Sequence, residues 1–102
     1  MTAGFRPLAL VAGMLALAGA QAADEVIRAH YACDQGEKIE VRYFPQKGTA
    51  VLVRNKKALE LWQEVSGSGF IYANGRTTIR GKGDDLTLEI GRRAPLECRV
   101  QP

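Results

Sequence analysis

Residues 66–88 read SGSGFIYANGRTTIRGKGDDLTL, and the fold turns on how this stretch is read. Asn74-Gly75 is a strong signal for a two-residue β-hairpin loop. Glycine-rich punctuation stands on either side, Ser66-Gly67-Ser68-Gly69 before and Lys82-Gly83-Asp84-Asp85 after. The segment therefore reads as two short strands between turns. A two-residue loop at Asn74-Gly75 pairs Ala73 with Arg76, Tyr72 with Thr77 and Ser68 with Gly81. Ser68 and Lys82 then occupy adjacent rungs at the open end of one hairpin, nominally on opposite faces. A one-residue bulge or a longer loop would set them directly opposite each other.

The same pattern continues in both directions. No stretch beyond residue 22 shows the i, i+3, i+4 spacing of a helix over ten residues, whereas period-two alternation recurs almost throughout. Ile39, Val41 and Tyr43 alternate with Lys38, Glu40 and Arg42. Leu59, Leu61 and Val65 are read as one core face, opposite Glu60, Trp62 and Glu64. Leu86, Leu88 and Ile90 form another, as do Leu96, Cys98 and Val100, and near the start Ile27, Tyr31 and Cys33. Turn chemistry at Asp34-Gln35-Gly36, Gln46-Lys47-Gly48, Asn55-Lys56 and Gly91-Arg92-Arg93 joins the three punctuations above. About eight short strands with hairpin-length loops favour an all-β antiparallel meander. Closing it into a barrel would remove the exposed edges; a sandwich is the other solution.

The first 22 residues read differently. A short basic start ending at Arg6 precedes the uncharged apolar run PLALVAGMLALA, residues 7–18, and Ala20-Gln21-Ala22 supplies a small-x-small cleavage site. The expected organisation is a cleaved signal peptide, 1–22, and one domain, 23–102. An uncleaved anchor fits less well, because the run is short for a bilayer span. No cysteine stands at the junction to be acylated, so the expectation is a soluble periplasmic, or secreted, product. Export makes a Cys33–Cys98 disulfide the expected state of the two cysteines. It would close nearly the whole domain, worth about 4 kcal/mol in the chain-entropy description. For about 80 residues that is comparable to the whole stability.

Composition excludes several functions. The chain carries 14 Lys+Arg against 11 Asp+Glu, net +3, and the leader removes one cation. A net +2 is too weak to argue for nucleic-acid binding. One histidine and two distant cysteines do not make a metal-ligand set, Asp84-Asp85 lacks the further ligands of a calcium loop, and no cofactor is expected. His30 falls on the polar face of its strand with Arg28, away from any Ser or Cys partner. Neither glycine-rich piece is a phosphate loop, because Gly83 follows Lys82 and no helix follows. A Ser68–Lys82 catalytic dyad would need a buried, deprotonated lysine and an oxyanion hole, and a lysine between two glycines in a turn is wet and charged. No enzyme constellation is expected. On pattern alone Ser68 reads as a turn residue and Lys82 as an edge charge.

With these residues in place, the chain resembles the MliC/PliC family of bacterial inhibitors of c-type lysozyme. The resemblance is carried by Ser68-Gly69-Phe70-Ile71-Tyr72 and Lys82-Gly83, and extends through Tyr31-x-Cys33, Ile39-x-Val41-x-Tyr43 and Leu96-x-Cys98. It implies an eight-stranded antiparallel barrel with a disulfide. It also implies that Ser68 and Lys82 enter the lysozyme cleft, with Tyr72 supporting the loop or the contact. Phe70 and Ile71 stand where relatives have a small and then a basic residue, and Arg80 where they have an aromatic. Gly69, Phe70, Ile71, Arg80 and Gly83 become candidate rim contacts, and Phe70-Ile71 a candidate apolar anchor for a partner or for a second copy in a homodimer. The competing expectation is a non-catalytic envelope module on the same barrel, with another protein or a saccharide as its ligand.

Overall fold

A computed structural model describes residues 25–102; the expected leader and its cleavage site lie outside the described residues. Eight strands follow one another: β1 Ile27–Cys33, β2 Lys38–Phe44, β3 Thr49–Arg54, β4 Lys57–Glu64, β5 Phe70–Asn74, β6 Thr77–Lys82, β7 Asp85–Ile90 and β8 Leu96–Val100. Each pairs antiparallel with the next, and β8 pairs back onto β1, so the meander is a closed barrel rather than a sandwich. Among the described residues every strand is therefore paired on both sides, and no whole strand edge is left open to recruit another chain.

The alternation read from sequence becomes the inside and outside of this barrel. Tyr31 and Cys33, Ile39, Val41 and Tyr43, Ala50 and Leu52, Leu61, Tyr72, Ile79, Leu86 and Leu88, and Cys98 fill the interior. Among the described residues no charged side chain is buried with them. The interior hydroxyls of Tyr31 and Tyr43 hydrogen-bond each other at 2.8 Å, so neither is stranded in the core. Burial raises both phenol pKa values above their ordinary range. Val65 departs from the expected pattern: it lies just past the end of β4 and is 97% exposed, because the chain has left the sheet for the 65–69 loop. Ile27, at the first rung of β1, is also exposed.

Cys33 and Cys98 form the expected disulfide, across the β1–β8 seam where the first and last strands meet. The bridge therefore fastens the one ladder that no hairpin turn can hold in register. With its ends 65 positions apart in sequence, the crosslink contributes about 4 kcal/mol by restricting the unfolded chain.

One register differs from expectation. The β5–β6 loop is Gly75-Arg76, and Asn74 pairs with Thr77, Ile71 with Arg80 and Phe70 with Gly81. Gly75 takes φ 59 at the first central position, the place a II′ turn reserves for glycine. Asn74 stays in the strand because its side-chain amide donates to the Glu60 carbonyl at 2.8 Å on the neighbouring strand. The Arg76 carbonyl accepts from Gly91 N–H at 2.8 Å, which fixes the other half of the turn. The slip is by two residues, so every side chain keeps its face.

Candidate functional site

The chain reverses seven times, which sends the 45–48, 65–69 and 83–84 connections to one end of the barrel and the other four to the opposite end. Ser68 and Lys82 therefore share a rim. Lys82 is the last residue of β6, on the outer face and exposed, immediately before a two-residue turn in which Gly83 takes φ 60. Its cross-strand partner is Asp85. The Asp85 carboxylate, however, accepts from Arg99 Nη1 at 2.6 Å, and among the described residues Lys82 has no carboxylate within ion-pair distance. The ammonium is an uncompensated cation at the tip of a hairpin.

The Ser66–Gly69 loop is held from both sides. Ser66 Oγ donates to the Ser68 carbonyl at 2.7 Å and accepts from Ser68 N–H at 3.4 Å, a local turn that fixes the Ser68 backbone and leaves its hydroxyl to solvent. Gly69, at φ 69, then lies directly on the end of β6: a Cβ there would overlap the Gly81 carbonyl oxygen and come within 3.1 Å of Lys82 Cβ. Only glycine allows this approach. The contact ties the serine loop to the backbone that carries Lys82. Beside it, an open recess of about 530 Å³ runs between Gly48, the Gln63–Ser66 segment and Phe70.

Beneath the rim is an aromatic cluster. The Phe70 ring takes the space that a Cβ at Gly81 would fill, so the cross-strand glycine is covered by its partner's ring. Phe70 meets Tyr43 edge-on at 5.2 Å and Tyr72 at 5.6 Å, and Tyr43 and Tyr72 lie 5.7 Å apart. Tyr72 is 5% exposed, and burial raises its phenol pKa. It points into the barrel and touches no surface a partner could reach, so of its two expected roles only support from beneath is compatible with its position. Phe70 likewise faces inward but is only half-buried, with part of its ring bordering the recess at the rim. Sequence reading missed this inward turn because Phe70 follows a glycine loop rather than an established strand; its cross-strand glycine was the signal.

The other candidates separate cleanly. Ile71 faces outward, half-buried, with Glu64 and Arg80 as its cross-strand neighbours. Arg80 donates to Glu89 at 3.2 Å on the barrel wall, so its charge is compensated where that of Lys82 is not. His30 is exposed opposite Glu40. Among the described residues, no group of three or more His, Cys, Asp or Glu is placed to hold a metal ion.

Known proteins resemble the chain in sequence and in fold. The profile of the family described as membrane-bound lysozyme-inhibitor of c-type lysozyme, MliC, matches residues 31–97. A protein of Cupriavidus necator named "Membrane-bound lysozyme inhibitor of C-type lysozyme" is 36% identical over 115 aligned positions, covering 95% of this chain and 92% of that protein. Among solved structures, Pseudomonas aeruginosa MliC, crystallised in complex with hen egg white lysozyme, superposes with a TM-score of 0.63 at 24% identity, over 76% of this chain and 84% of that one. That likeness supports the barrel, and the sequence matches support the lineage. The chain belongs to the MliC family of lysozyme inhibitors, a family of non-catalytic proteins.

Proposed function

We propose that the protein inhibits c-type lysozyme by seating the Ser68–Lys82 rim in the active-site cleft. The observation that carries this is the uncompensated Lys82 ammonium, exposed at a hairpin tip while its own cross-strand carboxylate is committed to Arg99. A retaining muramidase works with two carboxyl groups about 5 Å apart. An ammonium between them forms charge-assisted hydrogen bonds with the ionised one, and a serine hydroxyl bonds the other. Both groups are presented here on backbone held by Gly69 against β6, so little freedom is lost on binding. Tyr72 and Phe70 act from below by stiffening the rim, and Gly83 by shaping the turn.

The mature inhibitor is proposed to begin after Ala22 and to act as a soluble protein of the periplasm. Its support is the export-type leader together with the disulfide: both cysteines are spent in the bridge, which leaves no thiol among the 102 residues for lipid attachment. The test of the inhibitory function is direct. Purified protein in excess is added to a c-type lysozyme and clearing of a cell-wall suspension is followed. Clearing should slow in proportion to inhibitor until one equivalent is present; undiminished clearing at micromolar protein overturns the assignment.

A further inference from the structure

The modest net charge hides a strong separation of charge. At the end of the barrel opposite Ser68 and Lys82, the four connections and the strand residues that flank them carry seven Lys/Arg against two carboxylates, net +5. The same count at the Ser68–Lys82 end gives two cations against three carboxylates, net −1, among the described residues. Of the basic-end cations, Arg54 is committed to Glu37, whose carboxylate it grips through Nε and, at 3.1 Å, Nη2. The other acid, Asp34, accepts from Glu97 N–H at 3.2 Å. Lys38, Lys56, Lys57, Arg76, Arg92 and Arg93 are exposed, and among the described residues none has a carboxylate within ion-pair distance. The next carboxylates up the wall, Glu89 and Glu97, are engaged by Arg80 and by Thr87.

These cations form one surface rather than six isolated points. The Arg76 guanidinium lies across Gly91, so that a Cβ there would overlap it, and this joins the β5–β6 turn to the β7–β8 loop that bears Arg92 and Arg93. Arg54 borders two recesses at this end, one lined also by Arg93 and the other by Lys57. Apolar groups lie between the charges: Leu59 is 36% exposed, and Ala94 and Pro95 are exposed.

We propose that this basic end docks the protein on an anionic phospholipid bilayer, in a peripheral and reversible way. Clusters of four to eight Lys/Arg are sufficient for such attraction, each worth about a fivefold gain in affinity near the surface. Lys56, Arg76, Arg92 and Arg93 sit in three of the turns, with Lys38 and Lys57 on the strand residues beside them; this spread suits a flat partner rather than a groove-filling strand, and the interspersed apolar groups suit an interface with acyl chains beneath it. Docking this end leaves the Ser68–Lys82 rim pointing away from the bilayer, one strand length distant. The inference stands apart from the lysozyme assignment, and its test does not involve lysozyme.

The experiment is co-sedimentation of the purified protein with vesicles of phosphatidylethanolamine containing or lacking phosphatidylglycerol, over ionic strengths from about 50 to about 300 mM. Binding should require phosphatidylglycerol and fall steeply with salt. Lys56→Gln/Arg92→Gln/Arg93→Gln should lower affinity by about 100-fold at low salt, whereas Arg28→Gln/Arg42→Gln on the wall should change it by less than about fivefold. Near-UV circular dichroism of each variant checks that the barrel is intact, and the salt series on the unaltered protein needs no variant. Absence of binding to phosphatidylglycerol vesicles at low salt overturns the proposal. So does an equal loss in the two variants, or binding to isolated peptidoglycan with none to vesicles.

Discussion

Gly69→Ala is the substitution that most sharply separates a built rim from a passive loop. The new methyl group would overlap the Gly81 carbonyl oxygen, closer than 3 Å, and that oxygen belongs to a strand paired on both sides, so it cannot yield. The 65–69 loop has to withdraw by about 1 Å or more to reach an ordinary C···O separation. Alanine at φ 69 adds about 1–2 kcal/mol of backbone strain. Together these should lower stability by about 2–3 kcal/mol. Because the withdrawal carries Ser68 away from Lys82, inhibition should weaken by about the value of one charge-assisted hydrogen bond, 10- to 100-fold. Gly67→Ala is the internal control: two residues away in the same loop, its Cβ would meet nothing within 4 Å and its φ is not positive. It should cost less than about 0.5 kcal/mol and leave inhibition unchanged. Denaturant unfolding gives the stabilities, and titration of lysozyme activity on a cell-wall suspension gives the inhibition constants. If Gly69→Ala is as stable and as inhibitory as the unaltered protein, the loop is not held against β6 as described.

Other outcomes follow from the same structure. Cys33→Ser/Cys98→Ser should lose about 4 kcal/mol in chemical denaturation, with the reduced unaltered protein matching it; a loss under about 1 kcal/mol would mean that hairpin pairing alone holds the β1–β8 seam. Phe70→Ala should lower stability by about 2–3 kcal/mol by uncovering Gly81 and opening the contacts to Tyr43 and Tyr72, while binding through the rim weakens only as far as the rim loosens. A binding loss with no change in thermal midpoint would place Phe70 at the interface instead. The Arg54 hydrogen bonds hold the Glu37 carboxyl below its ordinary value near 4.5. A depressed carboxyl pKa contributes stability above the ordinary value and loses it as pH falls through the depressed one. Thermal midpoints of the unaltered protein and Glu37→Gln should therefore differ at pH 7 and converge below pH 4.5, and a gap that ignores pH would contradict the pairing.

Much of this molecule is legible in its sequence, because its information is local. Alternation with period two assigns Ile39, Val41 and Tyr43 to the interior without reference to any other strand, and turn residues mark all seven reversals. The β5–β6 register was not legible, since Asn74-Gly75 and Gly75-Arg76 are both acceptable loops. The choice between them is made by the Asn74 amide bonding to Glu60 on β4, a contact that exists only once the barrel is assembled. Tertiary placement likewise decides Val65, which continues an apolar pattern past the last rung of its strand, and Phe70, drawn inward by the bare face of Gly81. The freedom of Lys82 depends on Asp85 choosing Arg99 across the β7–β8 ladder, and charge segregation appears only when the turns are sorted by end. A net charge summed over the sequence conceals it.

The central claim is that Lys82, left without a partner at the rim, supplies the contact that blocks a c-type lysozyme. It is tested most directly by calorimetric titration of one such lysozyme with the unaltered protein and with Lys82→Ala. If the ammonium is buried against a cleft carboxylate, the substitution should weaken binding by about 2–4 kcal/mol, or 30- to 1,000-fold, with one-to-one stoichiometry retained. Absence of binding by the unaltered protein, or a loss of less than about twofold in the variant, would contradict the account.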